Sequence, residues 1–372
     1  MATPTKLYTF CSLLLAFLFP FSNSVQLDGG KVCLPEKHAS LFIFGDSLFD
    51  AGNNNYIKTA AFQANFAPYG ESFFKYPTGR FSDGRLISDF IAEYAKLPLI
   101  TPYLHPGYHS YIDGANFASA GAGALVETLQ GSVIDLNTQL SFFKNLASLF
   151  KNKLGDAETK TFLGRAVYLI SIGSNDYAIP FATNSSLLQS ISQQEFVDMV
   201  IGNLTTVIKE IYKEGGRKFG FQSLLPLGCV PFTRALKAGN TGACFEEITA
   251  LAILHNEAFP KVLQKLEHQL NGFRYSIADV YTTFSERINN PSKYGFKEGK
   301  IACCGSGPYR GILSCGGKRS VKEYELCENA SDHVFFDSAH PSERASQQVA
   351  EQMWSGTSNI TAPYNLKALF EL

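Results

Sequence analysis

Short runs of β-branched and apolar residues alternate with segments of helical periodicity through the whole chain. That alternation marks a parallel sheet with crossover helices, because a parallel strand pair cannot be closed by a tight hairpin. The expected strands are Leu41 to Phe44, Ala115 to Ala118, Ala166 to Ile172, Lys218 to Leu225 and Arg274 to Ala278, giving a five-stranded parallel sheet in an α/β fold. Between the third and fourth, Phe196, Val200, Leu204, Val207, Ile208 and Ile211 recur at helical spacing until Gly215 and Gly216 stop the turn. Another helix runs from Leu86 through Phe90 to Tyr94, and a third pattern spans Ile248 to Leu270 with a kink or break expected at Pro260. The last helix is expected to begin after His340, with Pro341 at its first position, Glu343 in its first turn and Ala345, Val349 and Met353 on its buried face. A length of 372 residues allows two domains at roughly 150 residues each. The alternation has no break, no repeat and no Pro/Ser-rich linker, so one domain is expected over 25–372.

Residues 1–24 are set apart from that domain. Lys6 is their only charge, an apolar run from Leu7 to Phe21 follows, and Ser22 and Ser24 supply small residues where a signal peptidase reads. The run is broken by Pro20 and is shorter than the roughly 20 residues of a spanning helix, so a cleaved secretory leader is expected. The mature chain is then an extracellular protein without a transmembrane segment. Secretion gives meaning to the sequons at Asn184, Asn203, Asn329 and Asn359, whereas Pro excludes Asn290. Charged residues make up 17% of the chain against the ~25% usual for soluble proteins, so attached sugar is expected to supply surface polarity. The 32 basic and 33 acidic side chains argue against a nucleic-acid partner, and the 45% hydrophobic content against a disordered chain.

Of the eight cysteines, Cys11 lies in the leader, and those left are odd in number: Cys33, Cys229, Cys244, Cys303, Cys304, Cys315 and Cys327. Disulfides are expected in an oxidising compartment. Cys229 and Cys244 bracket a short loop and are the expected pair, while the neighbours Cys303 and Cys304 seek separate partners. Zinc is not expected, since no C-x-x-C pair and no His lies between Cys303 and Cys327.

Four short elements carry chemistry. Phe44-Gly45-Asp46-Ser47-Leu48 follows the first strand, at the carboxyl end of a parallel sheet where ligands bind. Asp337-Ser338-Ala339-His340 places a carboxylate and an imidazole on one side of a turn, so that Asp337 can hold one ring nitrogen while the other faces a nucleophile. Gly173-Ser174-Asn175-Asp176 follows the third strand and offers an uncharged amide donor. Asn116 to Gly123 follows the second strand, and its small residues leave backbone N–H groups accessible. Taken singly, each reads as a helix cap, a helix start, a turn or a close-packed loop. Three of the four fall at carboxyl ends of expected strands, and that convergence favours a catalytic reading. Phe62, Phe66, Tyr69, Phe73, Phe74 and Tyr76 wall an acyl pocket or fill a core beneath a long loop, the core being favoured for most of them.

At these residues the sequence resembles the plant GDSL esterase/lipase family of SGNH hydrolases. The resemblance rests on Phe42 to Asn55, Gly173 to Asp176 and Phe335 to Pro341, with further hallmarks in Pro77 to Arg85, Asn116 to Gly123, Pro226 to Pro231 and Ala302 to Gly305. It covers essentially the whole mature chain. Departures are small: Phe336 stands where Trp is common, Ala120 where Gly is common and Ser342 where Thr is common. The resemblance implies a three-layer α/β/α sandwich of flavodoxin type. It implies Ser47 as nucleophile, His340 as base and Asp337 as its orienter, with an oxyanion hole from the Ser47 and Gly121 N–H groups and the Asn175 amide. The expected activity is hydrolysis of a small-molecule or lipid ester by a secreted monomer, without cofactor or metal. Acyl transfer to an alcohol is the alternative within enzymes, and a non-catalytic, ligand-binding defence glycoprotein is the alternative outside them. The family is linked broadly to plant defence, lipid signalling and surface-lipid metabolism.

Overall fold

A computed structural model describes residues 38–372 apart from 60–61, 108, 187–189, 238–241 and 318. The expected leader and Cys33 lie outside the described residues. The central sheet runs β2-β1-β3-β4-β5-β8 in space. Its strands are β1 (Leu41–Gly45), β2 (Gly114–Asn116), β3 (Val167–Ser171), β4 (Lys218–Gln222), β5 (Arg274–Ala278) and β8 (Thr361–Pro363). The first five are parallel, with Phe42 opposite Tyr168 and Tyr168 opposite Phe219. The expectation of five strands is corrected by β8, which pairs antiparallel with β5. It spans three residues, too short for a readable alternation, and its Pro363 sits where an edge strand tolerates a missing donor.

Strands β1, β3 and β4 are buried at every position, as a sheet covered on both faces requires. One face carries an aromatic row: Phe42 stacks on Tyr168 at 5.5 Å, Tyr168 on Phe219 at 5.3 Å and Phe219 on Phe273 at 4.8 Å. Against this face lie α2 (Leu136–Leu154), whose Phe143 meets Phe42, and α7 (Glu246–Gln269), whose Phe259 meets Phe221, while α5 (Gln193–Glu214) packs with both helices. On the alternate face Gly220 leaves room for Leu366, whose side chain a Cβ there would meet at 2.6 Å. Leu366 opens α10 (Leu366–Glu371), which packs with α9 (Glu343–Ser355), and α9 packs with α1 (Ile87–Tyr94). Helix, sheet and helix thus form the expected three layers. The remaining described α-helices are α3 (Asp156–Arg165), α4 (Ser174–Ala182), α6 (Pro231–Leu236) and α8 (Val280–Asn289).

Two helix expectations are narrowed. α7 passes through Pro260 without a break, because Leu251, Ala252, Phe259, Leu263 and Leu266 are buried along its length and packing outweighs one lost backbone bond. α9 starts later than expected: Ser342 is its N-cap, accepting from the Ala345 N–H, while Pro341 stays in the preceding turn, bridged to Phe335. Disulfides join Cys229 to Cys244, Cys303 to Cys327 and Cys304 to Cys315, so the neighbouring cysteines do take separate partners. The last two close a strap that contains the short strands β6 (Cys304–Gly305) and β7 (Glu325–Leu326). His333 lies near Cys303 and Cys327, but those sulfurs are bonded to each other rather than free as thiolates.

Candidate active site

The chain reverses sheet direction at β1, whose neighbours β2 and β3 lie on opposite sides, and ligand sites form at such a switch point. Gly45 ends β1 at φ +141°, and a Cβ there would lie 2.0 Å from the Ser171 carbonyl oxygen, so only glycine fits. Buried Gln139 from α2 braces the turn, accepting from the Gly45 N–H and donating to the Gly45 carbonyl, both at 2.9 Å. The next residue but one is Ser47. Its Oγ lies 2.7 Å from His340 Nε2, and His340 Nδ1 lies 2.6 Å from Asp337 Oδ1.

Asp337 and His340 occupy a turn closed by the Phe336 N–H donating to the His340 carbonyl. The Ala339 and His340 N–H groups also donate to Asp337 Oδ1, and the Tyr69 hydroxyl donates to Oδ2 at 2.6 Å. Burial pushes the Asp337 carboxyl up, but the His340 charge and these hydrogen bonds outweigh it and leave the group below the usual carboxylate range. Phe81 lies over the imidazole at 4.6 Å between ring centroids.

Ser47 and His340 open onto a cavity of about 120 Å³. Leu48, Phe62, Phe81, Ile179, Leu227 and Val230 are among its apolar walls. Gly121 and Asn175 also line it, which brings together every residue expected at the site. The Asn175 amide donates to the Ala122 carbonyl at 2.9 Å, tying the start of α4 to the loop after β2. Two buried carboxylates shape that loop. Asp50 accepts from the Ala120 N–H, and Asp176 accepts from the Ala124 and Leu125 N–H groups and the Thr128 hydroxyl. Burial raises both to about 6 against these bonds. Asp46, beside the serine, is raised by burial to about 7.

Of the aromatic residues between Tyr56 and Phe81, Phe62 reaches the cavity, Phe66 and Tyr69 join a buried cluster, and Phe73 and Tyr76 are exposed. The aromatic pattern of this stretch reads Tyr69 as core, and neither Phe81 nor Arg319 stands out in the sequence as a site residue. The sequon asparagines Asn184, Asn329 and Asn359 are exposed and Asn203 is half-buried.

Residues 41–353 match the family model for GDSL-like lipase/acylhydrolase. The chain is 56% identical to GDSL esterase/lipase 1 of Arabidopsis thaliana, with 91% of this chain and 92% of the relative covered. It is 53% identical to a GDSL lipase of Tanacetum cinerariifolium, with 91% and 90% covered. It is also 35% identical to an inactive GDSL esterase/lipase-like protein of Arabidopsis thaliana, with 90% and 75% covered. The chain belongs to the GDSL esterase/lipase family, hydrolases that act on carboxylic esters.

Proposed function

We propose that the chain is a secreted serine esterase that works through an acyl-Ser47 intermediate. The observation that carries this is the continuous hydrogen-bond chain from Ser47 through His340 to Asp337 at the mouth of an apolar cavity. Since one relative is named inactive, membership alone does not establish turnover, and the intact chain of donors and acceptors bears the weight.

A serine hydroxyl attacks an ester only if a base takes its proton during the attack. His340 Nε2 is in place to do so, and Asp337 fixes the other ring nitrogen and stabilises the imidazolium. The negative oxygen that develops is met by the Ser47 and Gly121 N–H groups and the Asn175 amide, uncharged donors that need no reorganisation. Collapse expels the alcohol, which leaves with the proton from His340. Water then cleaves the acyl-enzyme by the same steps. The lining favours an uncharged acyl group, because among the described residues it has many apolar side chains and no Lys or Arg.

Secretion is supported by the leader-like start, three disulfides and exposed sequons, and the chain from residue 25 on acts as one domain. Every group of the proposed site comes from one chain, so the reading needs no partner subunit and is compatible with a monomer. A fluorophosphonate probe applied to the folded glycoprotein should label Ser47, and both Ser47→Ala and His340→Ala should abolish labelling. An unlabelled wild-type protein, or undiminished labelling of Ser47→Ala, would overturn the reading.

A further inference from the structure

Arg319 is the largest fully buried side chain described, at 2% exposure, and it comes from the disulfide strap rather than from the sheet or its helices. Burying a guanidinium is costly unless an anion compensates it. Its hydrogen bonds go to neutral groups: Nη2 donates to the Gln63 carbonyl at 3.0 Å and to the Tyr69 hydroxyl at 3.3 Å, while Nε and Nη1 have no hydrogen-bond partner. Its guanidinium lies 5.3 Å from the Phe66 ring centroid and 5.6 Å from that of Phe81. The anion in this cluster is Asp337, one hydroxyl away: Tyr69 accepts from Arg319 and donates to Asp337 Oδ2.

We propose that Tyr69 and Arg319 are a positioning pair for the Ser47–His340–Asp337 triad, holding Asp337 ionised and rotated so that Oδ1 alone faces His340. The proposal rests on the triad reading above. Tyr69 occupies Oδ2 and is itself wedged edge-on among Phe66, Phe81 and Phe336 at 5.4 to 5.6 Å, so the carboxylate plane has no freedom to turn. Arg319 polarises the hydroxyl, and a hydrogen bond so polarised is a stronger donor to the next acceptor. Burial and the Asp337 charge push the Tyr69 phenol well above its ordinary range, so it keeps the proton it donates.

Removing the Tyr69 donor leaves the Asp337 charge less dispersed and the imidazolium more strongly stabilised. The titratable groups facing the imidazole are Asp337 and Asp46, with Tyr69 and Arg319 behind Asp337. The test is steady-state hydrolysis of a p-nitrophenyl acyl ester across pH by the full glycosylated chain. Tyr69→Phe, which deletes one oxygen, should lower kcat about tenfold with KM unchanged, and the acid limb of kcat/KM should move to higher pH. Arg319→Met should move both in the same direction, Arg319→Lys should fall between it and wild type, and the double variant should lose less than the two losses combined. If Arg319→Met does not fold, Tyr69→Phe decides alone. A Tyr69→Phe enzyme with wild-type kcat, or with its acid limb unmoved or moved to lower pH, would overturn the proposal. Retained activity in Ser47→Ala would instead remove the triad reading on which it rests.

Discussion

Asn175 sits in the first turn of α4, and one of its amide hydrogens is committed to the Ala122 carbonyl. That bond sets the amide plane and leaves the second hydrogen for the cavity that Asn175 shares with Ser47. Asn175→Ala should therefore lower kcat by about 10² or more, since an oxyanion donor acts mainly in the transition state. The fold should hold, because the deletion removes one side-chain hydrogen bond worth about 1 kcal/mol. Turnover near wild type, with unchanged circular dichroism, would take Asn175 out of the site. Ser47, Asn175, Asp337 and His340 were legible in the sequence because each stands in a short motif at a strand end or a tight turn. Tyr69 and Arg319 were not. Tyr69 lies 268 positions from Asp337, and nothing local distinguishes a tyrosine that donates to a buried carboxylate from one that fills a core. A lone arginine in a loop likewise reads as solvated until tertiary packing encloses it.

Elements with a full period of pattern were readable from the chain, and those without one were not. β5 falls at Arg274–Ala278 as expected, and α5 ends at Gly215, because a five-residue strand and six turns of helix leave an apolar signature long enough to read. β8 is too short to leave one, and the start of α9 turned on whether Pro341 took the first helical position or Ser342 capped the helix one residue later, a choice marked by one side-chain hydrogen bond. The strap 303–327 has no periodicity at all, yet it delivers Arg319. Its fit against the loop at Phe66 is close: Gly317 has φ +66°, and a Cβ there would meet the Phe66 ring at 2.4 Å. The Cys304–Cys315 bond spans 11 positions and ends just before this contact. Replacing both cysteines by serine should cost about 2 to 4 kcal/mol of stability by freeing the unfolded loop. It should also lower kcat in the direction of Arg319→Met, as the contact at Phe66 loosens. Thermal denaturation and steady-state kinetics on the same sample check both, and a double variant that loses neither stability nor turnover would show that the strap does not hold Arg319.

At the scale of the whole molecule, the near balance of charge hides buried groups whose protons differ between folded and unfolded states. Burial raises Asp46 to about 7 and Asp50 and Asp176 to about 6 from 3.8, and lowers His255 to about 4 from 6.5. Each raised carboxylate contributes stability that is fully present below 3.8 and is lost as pH rises through its folded value. His255 has the opposite sign: its contribution is present above 6.5 and is lost as pH falls through about 4. Asp337, held low, also acts oppositely, but it is lost only as pH falls below the ordinary carboxylate range. Between pH 5 and 6 the folded chain holds protons on Asp46, Asp50 and Asp176 that the unfolded chain has released, with Asp83 and Glu71 raised in the same direction, against those that unfolded His255 and His333 hold. The folded state then binds more protons, so stability should fall as pH rises. Above 6.5 Asp46 accounts for most of the protons still to be released by Asp46, Asp50 and Asp176, and the curve should flatten beyond pH 7 to 8. The urea midpoint should accordingly be higher at pH 5 than at pH 8. Asp46 Oδ1 accepts from the Leu48 N–H, which an asparagine oxygen reproduces, while Oδ2 is buried without a hydrogen-bond partner. Asp46→Asn should thus leave the midpoint at pH 5 nearly unchanged and raise it at pH 8, removing most of the slope between pH 6 and 8. A midpoint that rises from pH 5 to pH 8 in the wild type, or an Asp46→Asn slope equal to wild type, would show that these carboxylates do not govern the pH dependence of the fold.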